Sequence, residues 1–312
     1  MKNNYLISIV GPTAIGKTAL SIKLAKAFDT EILSADSRQF FREMSIGTAA
    51  PSKKELAAAV HHFIHHKSIE EDYSVGDFEK EALAKTEELF RKHKLLILVG
   101  GSGLYVKNLL EGLDDFPGVD PEIRMKLNEE FTEHGLEPLK EQLQSLDPEY
   151  YEKMDSENPH RVIRALEICL GTGKSFSSFL DQPKTQRPFK SISIGLTAPR
   201  EEIYERINRR VDIMMDEGLL EEAKNLYPKR KLNALNTVGY KELFAFIEGK
   251  LNLEEAVEEI RKNTRRFAKR QLTWFRKDKN IHWFDYKTPA EEIIAYIKAE
   301  ISEMQFTNRL SP

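Results

Sequence analysis

One segment, GPTAIGKT (residues 11–18), constrains the fold of this chain more than any other. It matches the pattern G-x-x-x-x-G-K-[ST], and it stands between an apolar run, YLISIV (5–10), and a helix-like segment, KTALSIKLAKAF (17–28). In that context the backbone amides of such a loop wrap around phosphate oxygens. Lys17 adds a positive charge, and the hydroxyl of Thr18 can bind Mg²⁺. We therefore predict a phosphate-binding loop made of Gly11, Pro12, Thr13, Ala14, Ile15, Gly16, Lys17 and Thr18.

Further short apolar runs recur along the chain, separated by helix-like segments. The runs cover residues 31–35, 95–99 and 192–196, with a weaker candidate at 282–285, and residues 78–93 are typical of the helices between them. Buried strands that alternate with helices are characteristic of a parallel sheet covered on both faces. The sequence thus predicts an α/β fold of the P-loop NTPase-like type, with a mostly parallel sheet flanked by helices.

The alternation of strand-like and helix-like segments stops between residues 116 and 189. This stretch has helical patterns but no convincing strand, and Pro-rich segments, DDFPGVDP and DQPKTQRPFK, bound it on either side. Because a strand pattern follows it, we interpret it as an insertion between two strands of the sheet. We predict an all-helical insertion domain at 116–189, and a catalytic P-loop core made of residues 1–115 and 190–312.

The composition argues against several classes of protein. The chain has 312 residues, of which 40% are apolar and 31% charged, and no apolar run approaches the roughly 20 residues that cross a bilayer. Its start lacks the pattern of a signal peptide. Cys169 is the only cysteine, which excludes an intramolecular disulfide. We interpret the chain as a cytoplasmic protein without membrane association.

The charge is unevenly distributed. The net charge of −3 alone argues against nucleic-acid binding, but residues 261–279 carry nine Lys or Arg against a single acid, Asp278. Such a patch can contact phosphates whatever the total charge. The alternative is an amphipathic helix with a solvated basic face. Arg261, Arg265 and Arg266 are the basic residues that we select as phosphate contacts.

Two other motifs suggest chemistry that the surrounding sequence does not support. GTGKS (171–175) resembles a second phosphate loop, but it follows a helix and lacks the first glycine of the pattern, so a helix end explains it better. VHHFIHH holds four histidines within six residues, and its spacing could bind a metal. No third ligand motif stands nearby, so we expect packed or hydrogen-bonded histidines.

The ends of two strands carry the strongest hint of a reaction. The run 95–99 ends in Gly100 and Gly101, where a nucleotide hydrolase usually has an acid. Asp36 follows the run 31–35 instead, and ligands of open α/β sheets bind beyond the carboxyl ends of the strands. Asp36 is therefore a candidate proton acceptor near the phosphate loop, although an acid that caps a helix or closes a turn would also fit.

Seven segments occur in an order that matches a known family. They are GPTAIGKT, DSRQFF, MSIGTAAP, VHHF, LVGGSGLY, VGYKE and TRRFAKRQLTWFR, and RVIRALE lies in the insertion. Together they resemble bacterial tRNA dimethylallyltransferases, also called tRNA isopentenyltransferases, over residues 7–285. Only the phosphate loop is a strong motif by itself, whereas the ordered set is very specific.

The chain departs from the family pattern at four positions. Phe41 stands where Tyr is usual, Ala50 where Lys is usual, His61 where Pro is usual and Ser102 where Thr is usual. Ser102 keeps a hydroxyl. Phe41 has none, so no contact through that hydroxyl is expected here.

The resemblance implies an activity. Members of the family transfer a dimethylallyl group from dimethylallyl diphosphate to N6 of the adenosine 3′ of the anticodon in tRNA, and diphosphate leaves. The phosphate loop would then hold the leaving group of a prenyl donor, which explains why no acid is needed after the run 95–99. The implied cofactor is Mg²⁺, and the implied partners are the anticodon stem-loop of tRNA and dimethylallyl diphosphate. We expect a monomer.

The resemblance also implies roles for particular residues. Asp36 would accept the N6 proton, with Thr18 as the Mg²⁺ ligand. Arg206 and Arg210, four residues apart on one helix face, would contact the diphosphate, with Arg210 taking part in catalysis. The positions that match tRNA contacts are Asp36, Ser37, Arg38, Gln39, Ser102, Arg124, His160, Arg161, Val162, Ile163 and Arg164.

Three other functions are compatible with parts of the sequence. A phosphate-loop kinase for a small alcohol would use the loop and Asp36, but would leave the basic stretch unexplained. An RNA-binding protein switched by a nucleotide would show nucleotide-dependent affinity and no product. A relative that prenylates free adenine nucleotides is disfavoured by DSRQ together with TWFR.

Overall fold

The computed structural model describes residues 4–114, 116–180 and 186–310, with the last four of these described by their backbone alone. Within these residues, none of the helices combines the length and the apolarity needed to cross a lipid bilayer. The chain divides into two compact units, residues 1–111 with 187–312, and residues 112–186. The Pro-rich segment DQPKTQRPFK falls partly outside the described residues.

The larger unit is built on a parallel sheet of six strands in the order β3-β2-β4-β1-β5-β6. The strands are β1 (Tyr5–Val10), β2 (Ile32–Ser34), β3 (His61–His62), β4 (Leu95–Val99), β5 (Lys190–Thr197) and β6 (Ile281–Asp285). The predicted α/β fold with a parallel sheet flanked by helices is confirmed. Strand β3 was not predicted, because two residues are too few to show a strand pattern.

Helices cover both faces of this sheet. They are α1 (Lys17–Phe28), α2 (Lys53–Ala58), α3 (Val75–Leu89) and α4 (Gly103–Glu111) before the smaller unit, and α9 (Arg200–Asp216), α10 (Leu219–Leu226), α11 (Tyr240–Ile247), α12 (Leu253–Phe275) and α13 (Ala290–Leu310) after it. Alternate residues of β1 point to opposite faces. Ile7 and Ile9 therefore join one core with α1, whereas Leu6 and Val10 join another with α3 and α4.

The smaller unit is helical and has a core of its own. It contains α5 (Pro121–His134), α6 (Glu137–Leu146), α7 (Pro148–Lys153) and α8 (Pro159–Thr172). Leu139, Leu143, Val162 and Leu166 form the centre of the core. The GTGKS segment ends α8, with Gly173 at φ +70 as the cap, so it is a helix end as predicted.

The histidines of VHHFIHH form contacts within the larger unit. His62 Nε2 lies 2.6 Å from Glu31 Oε2, and His65 Nε2 lies 3.4 Å from Ser45 Oγ. The ring of His66 stands edge-on to Phe40. Across the described residues, no group of three or more acidic, histidine or cysteine side chains is arranged to hold a metal ion.

Candidate active site

The phosphate loop joins β1 to α1 in a conformation that depends on its glycines. Gly11 has φ +142, and a Cβ there would lie 2.6 Å from the carbonyl oxygen of Leu196 on β5. Gly16, at φ +109, caps the start of α1. Lys17 Nζ folds back over the loop and donates to the carbonyl oxygens of Gly11 (3.1 Å) and Pro12 (2.8 Å). Two carbonyl groups of the loop are thus held around the ammonium group of Lys17.

The structure brings two arginines of α9 to this loop. Arg206 Nε donates to the carbonyl oxygen of Ala14 at 2.8 Å, and Arg210 Nη1 lies 3.4 Å from Thr13 Oγ1. Burial, opposed by the charge of Asp36 and assisted by that of Arg210, lowers the pKa of Lys17 to about 8. Three cationic side chains therefore converge where the loop would hold an anion.

Asp36 follows β2 and faces the same cluster. Its Oδ1 accepts a hydrogen bond from the backbone N–H of Arg38 at 3.2 Å, while Oδ2 has no hydrogen bond to any described residue. Burial raises the pKa of this carboxyl, an effect that the N–H of Arg38 and the charge of Lys17 partly offset. One oxygen of Asp36 therefore closes a turn, as one of the two interpretations of the sequence expected, and the role of proton acceptor stays a prediction.

The residues after Asp36 are held by backbone and side-chain bonds. The N–H of Ser37 donates to Ser102 Oγ at 3.0 Å, which ties the end of β2 to the end of β4. Arg38 Nη1 donates to two carbonyl oxygens, those of residues 233 and 234. The side-chain amide of Gln39 donates to the carbonyls of residues 48 and 49. The turn that carries these predicted tRNA contacts is therefore well ordered by its surroundings.

Gln271 of α12 belongs to this site and was not predicted. Its Oε1 accepts from the backbone N–H of Thr13 at 2.8 Å, and its Nε2 donates to the carbonyl of Gly101 at 2.9 Å. Gln271 lies among the buried residues of α12, with Ala268 and Phe275. A polar residue on the apolar face of a basic helix was the signal in the sequence that could have identified it.

Close packing around the end of β4 explains why glycines stand at these positions. A Cβ at Gly100 would lie 2.3 Å from the carbonyl oxygen of Ala35, and a Cβ at Gly103 would lie 2.2 Å from the ring of Trp274. At Gly101 the obstacle would be the amide of Gln271, at 2.4 Å. The glycines thus let β2 and α12 approach the end of β4 closely.

The predicted tRNA contacts of the smaller unit divide into two groups. Arg124 and Arg164 both pair with the buried Glu167, at 3.2 and 2.9 Å. His160 and Arg161 are exposed at the start of α8. The side chains of Val162 and Ile163 are buried in the core of the unit, 0% and 3% exposed, so they support the helix and are not at its surface.

The residues around Thr18 fit a bound Mg²⁺. Thr18 lies in the first turn of α1, partly exposed, and its hydroxyl has no hydrogen bond within the described part of the chain. Mg²⁺ is commonly held by one or two protein oxygens together with substrate phosphates and water. The hydroxyl of Thr18, beside the phosphate loop, provides one such protein oxygen.

These contacts define the class of the protein. It is an α/β protein of the phosphate-loop type, in which two arginines from a separate helix contact the loop beside a partly buried carboxylate. Residues 39–278 match the family model described as IPP transferase. The chain belongs to this family, as its sequence motifs indicated.

Named relatives and solved structures agree with this assignment. A protein of Christiangramia forsetii named tRNA dimethylallyltransferase is 64% identical over 300 residues, which cover 96% of this chain and 99% of that protein. One of the same name from Flavobacterium johnsoniae is 60% identical, over 94% of this chain and 97% of its own.

Crystal structures of relatives share the fold. The full-length tRNA isopentenylpyrophosphate transferase of Bacillus halodurans has a TM-score of 0.73 at 38% identity, covering 99% of this chain and all of that one. A eukaryotic dimethylallyltransferase acting on tRNA has a TM-score of 0.81 at 27% identity, covering 96% of this chain and 80% of that one.

Proposed function

We propose that this protein transfers a dimethylallyl group from dimethylallyl diphosphate to N6 of the adenosine 3′ of the anticodon in tRNA and releases diphosphate. The observation that carries the proposal is Asp36, a partly buried carboxylate with one free oxygen beside a phosphate loop. A kinase would also need the loop, but the family of this chain and the names of its relatives favour a prenyl transfer.

The reaction exchanges one bond for another. The bond between the allylic carbon and the diphosphate oxygen breaks, a bond from N6 to that carbon forms, and N6 loses a proton. An adenine amino group is a weak nucleophile, so a carboxylate within hydrogen-bond reach assists the attack. We assign the proton to Oδ2 of Asp36, because Oδ1 is bonded to the N–H of Arg38.

The leaving diphosphate gains charge as the bond breaks. The loop amides, Lys17, Arg206 and Arg210 are the groups that neutralise this charge. Mg²⁺ bound at Thr18 would supply further charge neutralisation to the same phosphates. Gln271 supports the loop by holding the N–H of Thr13, so the loop keeps its shape when the anion departs.

The tRNA contacts belong to two sets of residues. In the larger unit these are Asp36, Ser37, Arg38, Gln39 and Ser102, and in the smaller unit they are Arg124, His160, Arg161 and Arg164. A base that is stacked in the anticodon loop must be flipped out before N6 can react. We propose that the protein acts as a monomer in the cytoplasm.

The decisive experiment is incubation with dimethylallyl diphosphate, Mg²⁺ and unmodified tRNA, followed by mass spectrometry of the nucleosides. We expect N6-isopentenyladenosine and one diphosphate for each modified base. Steady turnover of ATP with a phosphorylated small acceptor and no prenylated tRNA would instead favour a kinase. RNA binding that depends on a nucleotide, without any product, would favour a regulatory RNA-binding protein.

A further inference from the structure

A single carboxylate on α10, that of Glu222, receives four hydrogen bonds. Its Oε2 accepts from the backbone N–H groups of Ser45 (3.0 Å) and Ile46 (2.9 Å). Its Oε1 accepts from the N–H of Gly47 (2.9 Å) and from the hydroxyl of Tyr240 (2.6 Å). Hydrogen bonds to a charged acceptor are roughly twice as strong as neutral ones. The carboxylate therefore anchors three consecutive residues of a loop that covers residues 44–51.

The same loop is pressed against α11. A Cβ at Gly47 would lie 2.6 Å from the ring of Tyr240, which is fully buried. Burial and then the Glu222 carboxylate raise the pKa of Tyr240 above its usual range, so the hydroxyl remains a donor. Ring contact and hydrogen bonds thus hold the loop in a single position.

The loop in turn holds Gln39. Gln39 Nε2 donates to the carbonyl oxygens of Thr48 (3.2 Å) and Ala49 (3.1 Å). Ala49 has φ +49, a left-handed conformation that an alanine adopts only when its surroundings enforce it. The carbonyls that position Gln39 therefore lie in a strained segment, whose anchor is Glu222.

This arrangement settles which way the Gln39 amide points. Both neighbours of the side-chain amide are carbonyl oxygens, so the nitrogen must face them and the oxygen must face away. Gln39 Oε1 has no hydrogen-bond partner in the described part of the chain. Gln39 lies in the same turn as Asp36, since its N–H donates to the Asp36 carbonyl at 3.1 Å. The turn that carries the proton acceptor thus also presents a fixed hydrogen-bond acceptor.

We propose that Glu222 is a positioning residue for base recognition: by anchoring the 44–51 loop, it orients Gln39 to accept a hydrogen bond from an amino group on a tRNA base. The inference rests on the proposed function, because it takes tRNA as the partner of Gln39. Glu222 lies on a different helix from every residue that the sequence patterns selected.

The test begins with Glu222→Gln, which preserves the shape of the side chain but places an amide nitrogen against at least one backbone N–H that needs an acceptor, that of Gly47 or those of Ser45 and Ile46. We expect the Kd for the anticodon stem-loop to rise by about tenfold, because unpaired polar groups loosen the loop. The KM for dimethylallyl diphosphate should change by less than about twofold. Glu221→Gln is the matched control, since it removes the same charge from the same helix at an exposed residue whose ion pair, among the described residues, is with Lys224.

A double-mutant cycle with Gln39→Ala then asks whether Glu222 acts through Gln39. If it does, Glu222→Gln should add less than about twofold to the Kd once Gln39 is Ala, because coupled residues are not additive. Fully additive effects would overturn the inference, as would a Glu222→Gln enzyme that binds like the Glu221→Gln control. Tyr240→Phe removes one of the four bonds and provides a milder variant if Glu222→Gln does not fold.

The binding assay contains no prenyl donor, so it separates two possible failures. If the wild-type protein binds the stem-loop and the cycle is non-additive, but no prenylated base forms, then the proposed function fails and the inference holds. If the wild-type protein prenylates tRNA and Glu222→Gln binds normally, then the inference alone fails. A wild-type protein that binds no RNA would overturn both.

Discussion

We propose two tasks for the carboxylate of Asp36. Oδ1 closes the turn after β2 through the N–H of Arg38, and Oδ2 remains free beside the phosphate loop. Burial raises the pKa of the group, which makes it a stronger base once it is ionised. The division between the two oxygens means that a structural role for Asp36 does not compete with a chemical one.

Replacement of Asp36 tests the proton transfer directly. Asp36→Asn keeps the turn, because the amide oxygen can still accept from Arg38, but it removes the base. We expect the single-turnover rate with saturating tRNA to fall by about 10²–10⁴-fold, the usual contribution of a general base. Affinity for both substrates should stay close to that of the wild-type protein.

Thr18→Ala is the contrasting variant. It removes the proposed Mg²⁺ ligand, so donor binding should weaken and recover in part at higher Mg²⁺ concentration. If Asp36→Asn retains normal single-turnover chemistry, the proton has another destination, such as the departing diphosphate.

The pH dependence of kcat/KM for dimethylallyl diphosphate should report the protonation of Lys17. Burial lowers the pKa of this ammonium to about 8, so its charge is present below that pH and is lost above it. Since kcat/KM for dimethylallyl diphosphate reports the free enzyme, we expect it to fall as the pH rises through about 8. In the Lys17→Arg enzyme this fall of kcat/KM at high pH should disappear, because a guanidinium stays protonated. If kcat/KM still falls at the same pH in the Lys17→Arg enzyme, then another group causes the fall.

At the scale of elements, α12 connects three parts of the site. Gln271 joins α12 to the phosphate loop through Thr13 and to the end of β4 through Gly101. The glycine at 103 leaves room for the Trp274 ring one turn further along the helix. The loop is therefore shaped from outside as well as by its own glycines.

Removal of the Gln271 bonds should weaken donor binding. Gln271→Met has similar length but no hydrogen-bonding groups, so it leaves the N–H of Thr13 and the carbonyl of Gly101 unpaired. An unpaired buried group costs about 1–3 kcal/mol, and we expect the KM for dimethylallyl diphosphate to rise at least about tenfold. Thr273→Val, at an exposed position of the same helix, is the control. An unchanged KM would limit Gln271 to a packing role.

The basic face of α12 is not uniform. Arg261 pairs with Asp212 and Glu258, and Arg265 pairs with Glu258. Lys269 and Arg270, by contrast, are exposed and form no ion pair with any described residue. In the first half, Arg261 and Arg265 thus stabilise the packing of α9 and α12. In the second half, Lys269 and Arg270 are available to an anion.

The salt dependence of tRNA binding should distinguish the two halves. Replacing Lys269, Arg270 and Lys277 by Gln should reduce the slope of log K against log salt by about 0.7–0.9 for each phosphate that the variant no longer neutralises. Replacing Arg261 and Arg265 should lower thermal stability and change the slope less, because their charges are already paired. Equal slopes in the two variants would show that the ion pairs open when RNA binds.

At the scale of the whole molecule, the proposed tasks are divided between the units. The phosphate loop, its arginines and Asp36 belong to the larger unit, whereas Arg124 and the segment 160–164 belong to the smaller one. The smaller unit has its own core, so a surface change there should leave the phosphate site intact.

Arg161→Ala tests that division. Arg161 is exposed and, among the described residues, is in no ion pair, unlike Arg124 and Arg164, which neutralise the buried Glu167. Its replacement should raise the KM for tRNA by about tenfold, as expected for one charge-assisted phosphate contact, without changing the KM for the donor. Glu157→Gln, an exposed change in the same unit, is the control. A parallel change in both KM values would mean that the units do not act independently.

The amino-acid sequence by itself determined the phosphate loop, four of the six strands with a weaker indication of β6, the helix end at Gly173 and the family. These features depend on neighbouring residues, because a strand pattern, a glycine cap or a loop motif is complete within a few positions. Asp36 was selected as a candidate in the same way, from its place directly after a strand.

Only the tertiary structure decided how these parts are held. Thr13 and Gln271 are 258 positions apart, and Glu222 is 177 positions from Ser45. The roles of Gly100, Gly101 and the paired arginines of α12 likewise depend on segments that meet only after folding. A sequence pattern cannot show such contacts, because a hydrogen bond between distant residues leaves no periodicity in either of them.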